Sequence, residues 1–171
     1  SHGGAWPPRT VCSFVVARYG NVVGSRGSVV PFWAEQRRQG KPLSVTDPAM
    51  TRFFFTLDGA VRLVDVALAA PSGTVVAQPM PACTLGQLAV VMGRGLDPGH
   101  SMIPSYPIEI VGRRPGEKVH EELLTAEEMA RTVLRVKPNG EHFLYSPLDL
   151  PTDECIGPMP YTSDRAPRLT D

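Results

Sequence analysis

Residues 11 to 33, VCSFVVARYGNVVGSRGSVVPFW, limit the possible folds more than any other stretch of the chain. VCSFVVAR is a continuous run of β-branched and aromatic residues, the pattern of a strand buried on both faces of a parallel sheet. Gly20, Gly24 and Gly27 then interrupt the chain. Ser28 can cap the next segment, Pro31 suits a first helical turn, and Gly40 before Lys41-Pro42 ends it, which predicts a helix from Val29 to Gln39. Strand, glycine-rich turn and helix in that order are the layout of a phosphate cradle.

The rest of the chain continues the alternation. PLSVTD reads as a short strand closed by Asp47-Pro48. Thr56 can cap a helix that carries Leu57, Val61, Val64 and Leu68 at helical spacing and stops at Pro71-Ser72-Gly73, so these four residues are expected to form its buried stripe. GTVVAQ is a strand, and Thr84 caps a short amphipathic helix with Leu85, Leu88 and Met92. YPIEIVG is a strand, Pro115 and Gly116 are expected to open a helix through Leu124, and LRVKPNGEHFLYS is a hairpin centred on Asn139-Gly140. Strands alternating with helices predict an α/β or α+β chain.

At 171 residues the chain is about one domain and can bury a core without disulfides. Seventeen basic and seventeen acidic residues cancel, so no overall field attracts nucleic acid or an anionic membrane. Cys12, Cys83 and Cys155 are widely spaced, with no Cys-x-x-Cys pair, which argues for reduced thiols in a cytoplasm and against a zinc site. The most apolar stretch, AVRLVDVALAA, is interrupted by Arg62 and Asp65 and is too short to span a bilayer. Residues 1–10 read as a linker or tag remnant ahead of residues 11–171, and both ends have the look of cut ends.

Spacing leaves the glycine turn open between two readings. Gly20, Gly24 and Gly27 follow a strand, and Asp47 closes the next one, where a dinucleotide-binding unit keeps an acid for a ribose hydroxyl. The spacing is G-x-x-x-G-x-x-G rather than G-x-G-x-x-G, however, Arg26 sits inside the turn, and glycine turns without a ligand are common, so the cofactor signal is weak. MGRGLDPG follows a helix and reads as its stop. HEELL lacks a second histidine, which makes His120 a polar helix residue and no metal ligand. Arg114 and Glu117, three apart, form either a surface ion pair or a polar binding edge.

Together RYGNVVGSRGSVVPFW, LSVTDPAMTRFFFTLDGAVRLV, GRRPGEKVHEELL and YTSDRAPRLT resemble the C-terminal half of bacterial nucleotide-sugar 4,6-dehydratases. These are extended short-chain dehydrogenase/reductases of surface-polysaccharide and flagellin-sugar biosynthesis that act on UDP-N-acetylglucosamine. The resemblance runs from Val15 to Asp171. It implies the C-terminal part of a Rossmann-type fold, with the glycine turn facing the sugar nucleotide rather than NADP. It further implies Asn21 at the pyrophosphate and sugar, Ser28 and Val29 beside the phosphates, and the backbone around Thr46 near the uracil. Arg52 and Arg114 would pair with phosphate oxygens, and Glu117 would accept the ribose hydroxyls. Guanidinium forks, free helix N–H groups and a carboxylate are the chemistry that a pyrophosphate and a diol require.

The departures matter as much. Enzymes of this kind carry an N-terminal NADP-binding half, a Thr-Asp-Lys acid/base group and a Tyr-x-x-x-Lys pair. Here Tyr19, Tyr106, Tyr145 and Tyr161 are followed four residues on by Val23, Ile110, Asp149 and Arg165. The expectation is therefore a substrate-binding portion with no catalytic residue of its own, inactive alone, whose partners are a UDP-sugar, the absent Rossmann half and, in a homo-oligomer, further copies. The competing readings are a stand-alone module that binds UDP-sugar without turnover and a degenerate mononucleotide domain that holds NAD on the glycine loop.

Overall fold

The computed structural model describes residues 12–94, 106–148 and 155–169. In chain order the elements are β1 (Val16–Arg18), β2 (Asn21–Val22), α1 (Val29–Arg38), β3 (Leu43–Val45), β4 (Thr51–Phe55), α2 (Leu57–Leu68), β5 (Val75–Ala77), β6 (Ala82–Thr84), α3 (Leu85–Arg94), β7 (Ile108–Ile110), β8 (Glu122–Leu124), α4 (Ala126–Met129), β9 (Val133–Val136), β10 (His142–Ser146) and β11 (Tyr161–Thr162). The predicted linker at 1–10 and the glycines after Arg94 lie outside the described residues.

Among the described residues these strands form four small sheets. β1-β5-β10-β9 has a parallel pair, β1 with β5, and is otherwise antiparallel; β2-β4-β6 pairs β2 with β4 in parallel; β3 with β7 is parallel and β8 with β11 antiparallel. The main core gathers Phe53, Phe55, Leu63, Val76, Met80 and Phe143 between α2 and the sheets, and a second cluster around Trp33, Leu43, Val45, Met50 and Leu85 joins α1 to α3 and β3.

Local signals set most of the boundaries. The Thr56 hydroxyl accepts the Gly59 N–H at 3.0 Å at the start of α2, and the Thr84 hydroxyl accepts the Gln87 N–H at 3.0 Å beside α3. Gly140, at φ 83°, turns the β9–β10 hairpin between Lys137 and Glu141, as Asn-Gly predicts.

Four expectations are corrected. The described part of the run VCSFVVAR, from Cys12 on, is not buried on both faces: β1 is an edge strand, and Phe14 and Val16 are 71% and 49% exposed because β5 is its one neighbour among the described residues. The buried face of α2 is Gly59, Ala60, Leu63 and Ala67, with small residues either side of Leu63, whereas Leu57, Val61, Val64 and Leu68 face outward. No helix follows Pro115. The Arg114 carbonyl accepts the Glu117 N–H at 3.0 Å around Pro115 and Gly116 (φ 80°), a type II reverse turn, and the chain then extends into β8, so His120 is no helix residue. Ser28 stands at the N-cap of α1 with extended backbone, but its hydroxyl makes no capping bond.

Candidate functional site

The N-terminus of α1 opens onto a cavity of about 530 Å³. Asn21, Ser28, Val29, Thr46, Arg52, Arg114 and Glu117 all line it, although they come from five separate stretches of the chain. The remaining wall is apolar and aromatic, with Phe32, Trp33 and Phe54 among its members. A larger cavity of about 690 Å³ lies against β9 and β10, with no carboxylate on its wall. The smaller one is the better candidate, because cations, a carboxylate and a helix N-terminus converge on it.

The anion-attracting features at α1 follow from its sequence. The Ser28 N–H bonds the Ser25 carbonyl and Pro31 has no N–H, so the unsatisfied amides of the first turn are those of Val29 and Val30, both on the cavity wall. No acidic residue stands in that turn. The Ser28 hydroxyl is buried without a hydrogen-bond partner. The Ser28 hydroxyl and the first-turn amides therefore stand on the same cavity wall, and a buried hydroxyl without a partner costs free energy.

The opposite wall is charged and crosslinked. Arg52, whose side chain is 13% exposed, donates from Nη1 to the carbonyls of Thr51 (2.8 Å) and Val119 (3.2 Å) and from Nη2 to that of Lys118 (3.0 Å). The Glu117 and Glu121 carboxylates lie 3.6 Å from it. Glu117 also accepts the Arg114 backbone N–H at 3.1 Å, so of the two readings of this pair the surface ion pair is replaced by a backbone contact. Among the described residues the Arg114 guanidinium forms no ion pair, which leaves it the freer of the two arginines. The Thr46 hydroxyl rests on the Met50 sulfur at 3.3 Å.

Glu121 was not among the residues singled out from the sequence. It accepts the Phe53 N–H at 3.2 Å, and burial pushes its carboxyl above the ordinary range, against the lowering effects of that bond, of Arg52 and of the Asn21 side chain. Its only sequence signal was its place in GEKVHE, the stretch that also carries Glu117.

The residues present do not form a cradle for NADP. The helix after the glycine turn leads to β3, which pairs with β7 and not with the sheet of β1, so the turn is not part of a strand–helix–strand unit in one sheet. Asp47, the acid a ribose would need, closes its own turn by accepting the Ala49 N–H at 2.9 Å and faces Arg113 at 3.5 Å.

A model of a family described as polysaccharide biosynthesis protein matches residues 7–137. The chain belongs to that family. This family member is 35% identical over 161 residues to a UDP-glucose 4-epimerase of Rickettsia massiliae, across 90% of this chain and 46% of the relative. It is 40% identical over 119 residues to an uncharacterized membrane protein of Methanocaldococcus jannaschii, across 68% of this chain and 36% of the relative. The solved structure of Pen from Bacillus thuringiensis superposes with a TM-score of 0.75 at 31% identity, across 92% of this chain and 46% of that one. The chain thus spans about half the length, or less, of the proteins it matches, and its fold is the expected α/β piece of a Rossmann-type architecture. No helix among the described residues is long and apolar enough to cross a membrane.

Proposed function

We propose that the cavity at α1 holds the uridine diphosphate part of a nucleotide sugar, and that this chain is the substrate-binding portion of an NADP-dependent UDP-N-acetylglucosamine 4,6-dehydratase of surface-glycan biosynthesis. The observation that carries the reading is the convergence of Asn21, Ser28, Val29, Thr46, Arg52, Arg114 and Glu117 on one cavity, with the unpartnered Ser28 hydroxyl and the first turn of α1 on its wall. In this reading the α1 amides and the Ser28 hydroxyl meet the pyrophosphate. Arg114 neutralises it from the rim, and Arg52 adds charge from the wall. Glu117 accepts the ribose hydroxyls, Asn21 lies where pyrophosphate and sugar meet, and the uracil rests along the backbone at Thr46.

The sugar chemistry belongs to the dinucleotide-binding half of the enzyme, which NADP supplies with a hydride acceptor when bound. Alone, this chain binds and orients. A 4-epimerase, the activity in the Rickettsia relative's name, would use the same nucleotide site; the product formed once that half is supplied, a 4-keto-6-deoxy sugar or a 4-epimer, separates the two.

Calorimetric titration tests the binding. UDP-N-acetylglucosamine and UDP should bind, and Arg114→Ala should weaken both by roughly ten- to a hundredfold, the loss of one charge-assisted hydrogen bond. Asp47→Asn should leave binding unchanged. Tight binding of NADPH in place of UDP, abolished by Asp47→Asn, would overturn the proposal in favour of a cofactor domain.

A further inference from the structure

We propose that Thr51 and Ser163 form a positioning pair: their hydroxyls tie the segment 161–169, which lies beyond the residues matched by the family, to the loop 117–121 that carries Glu117 to the cavity and Glu121 against Arg52. This deepens the nucleotide-sugar reading of the same site and rests on it.

The segment is docked along its whole length. Tyr161 and Thr162 pair with β8, the Tyr161 ring packs on Phe53 at 5.2 Å, and its hydroxyl meets the backbone N–H and carbonyl of Met80 at 2.9 and 3.1 Å. Further on, the Ala82 N–H donates to the Pro167 carbonyl at 2.9 Å and the Leu169 N–H donates to the Ala82 carbonyl at 3.1 Å. Ser163, fully buried, comes to lie against Thr51, which is 2% exposed, with the two hydroxyl oxygens 2.7 Å apart.

From this pair the bonds run into the loop. The Glu121 N–H donates to the Ser163 hydroxyl at 2.8 Å, and His120 Nδ1 lies 2.7 Å from the Thr51 hydroxyl. The Val119 carbonyl accepts the Thr51 N–H at 3.0 Å, and Arg52, the next residue, holds the carbonyls of Lys118 and Val119. Each residue from Lys118 to Glu121 is therefore held by Thr51, Arg52 or Ser163. This stretch precedes β8, and its backbone bond to the segment is the one from the Ser163 N–H to the Glu121 carbonyl at 2.9 Å, at the end of the loop next to β8.

Valine and alanine would fill the same space, but they would leave the Glu121 N–H and His120 Nδ1 without these partners. What the hydroxyls add is direction, and the pair is satisfied whichever histidine tautomer is present. With Nδ1 bare, Ser163 donates to Thr51 and Thr51 donates to His120. With Nδ1 protonated, His120 donates to Thr51, Thr51 to Ser163, and Ser163 to the Thr51 carbonyl 3.1 Å away. Slack in this tie would shift the carbonyls that hold Arg52 and the carboxylate of Glu117 together, which is one whole wall of the cavity.

The test compares Thr51→Val, Thr51→Ser and Ser163→Ala in the 171-residue chain, by amide hydrogen exchange and by titration with UDP-N-acetylglucosamine. Thr51→Val and Ser163→Ala should speed exchange of the Glu121 amide about tenfold or more and weaken binding by about tenfold, with α2 amides unchanged; Thr51→Ser should restore both. Unchanged Glu121 exchange in either hydroxyl-free variant, or a Thr51→Ser chain no better than Thr51→Val, would overturn the positioning role. Should Thr51→Val not fold, Ser163→Ala decides by the same exchange criterion. Failure of the unmodified chain to bind the nucleotide sugar would instead sink the site reading, and the exchange rates would still decide the tie.

Discussion

Gly20 shows how a single atom decides where the cavity wall stands. A Cβ there would run into the Cβ of Phe53 and sit 2.9 Å from the Phe53 carbonyl oxygen, so β2 can lie against β4 only with glycine at this position. Gly20→Ala should lower stability by about 1–3 kcal/mol, read as a lower urea midpoint with an unchanged slope, because the neighbour is backbone and cannot give way. Gly24 and Gly27 need glycine for another reason: both have positive φ, at 76° and 78°, with open space around them. Glycines of one turn look alike in sequence, and spacing does not separate a close approach from a positive φ. Glu121 allows a second test at this scale. Its carboxyl is raised above the ordinary value by burial, so the neutral form is favoured in the fold. That contribution is complete below the unfolded value of about 4.3 and is lost as pH rises through the folded value. Relative to Glu121→Gln, the unmodified chain should therefore lose stability between acid and neutral pH; a difference that stays flat in urea titrations from acid to neutral pH would contradict this.

At the scale of elements, α4 is a four-residue helix that depends on its ends. Thr125 accepts the Glu128 N–H at 3.2 Å while Glu128 accepts the Thr125 N–H at 2.9 Å, and the same Glu128 carboxylate takes the Arg18 guanidinium at 2.7 Å. Thr125→Ala should cost about 0.5–2 kcal/mol, and Glu128→Ala more, since it also removes the link from α4 to Arg18 of β1; chemical denaturation of both variants measures the order. Burial pushes the Glu128 carboxyl upward, but Arg18 and the Thr125 N–H outweigh it and hold it below the ordinary range. This stabilisation is present above the unfolded value and disappears as pH falls through the folded one, so Glu128→Gln should flatten that part of the acid unfolding curve. Caps of this kind were legible where a threonine stands alone before an apolar run, as at Thr56 and Thr84. Pro115-Gly116 was not, because proline can open a helix or sit second in a reverse turn, and the choice fell to the fixed position of Glu117. The seven residues of the site were named from a resemblance between stretches far apart in the chain, and their convergence depends on the turn at 114–117, which periodicity alone does not show.

For the molecule as a whole, the outward face of α2 has the most to say. Leu57, Val61, Val64 and Leu68 recur at one helical face and are 66%, 55%, 44% and 80% exposed. Their periodicity does mark an apolar face; which face is buried depends on what packs against it, and here the sheet takes Ala60, Leu63 and Ala67 instead. Phe14 and Val16 are exposed on or beside β1, whose outer edge has no strand beside it among the described residues. An apolar helix face together with an open parallel edge is a surface that monomers seldom leave uncovered. The isolated chain should therefore self-associate, with a sedimentation coefficient that rises with concentration and a thermal transition that does the same. Val61→Glu combined with Leu68→Lys should suppress the association and leave the fold intact, because neither side chain belongs to the buried face. UDP-N-acetylglucosamine affinity should not change in this variant, since α2 contributes nothing to the cavity at α1. A chain that stays monomeric across the accessible concentration range would show that these exposed residues are no association surface.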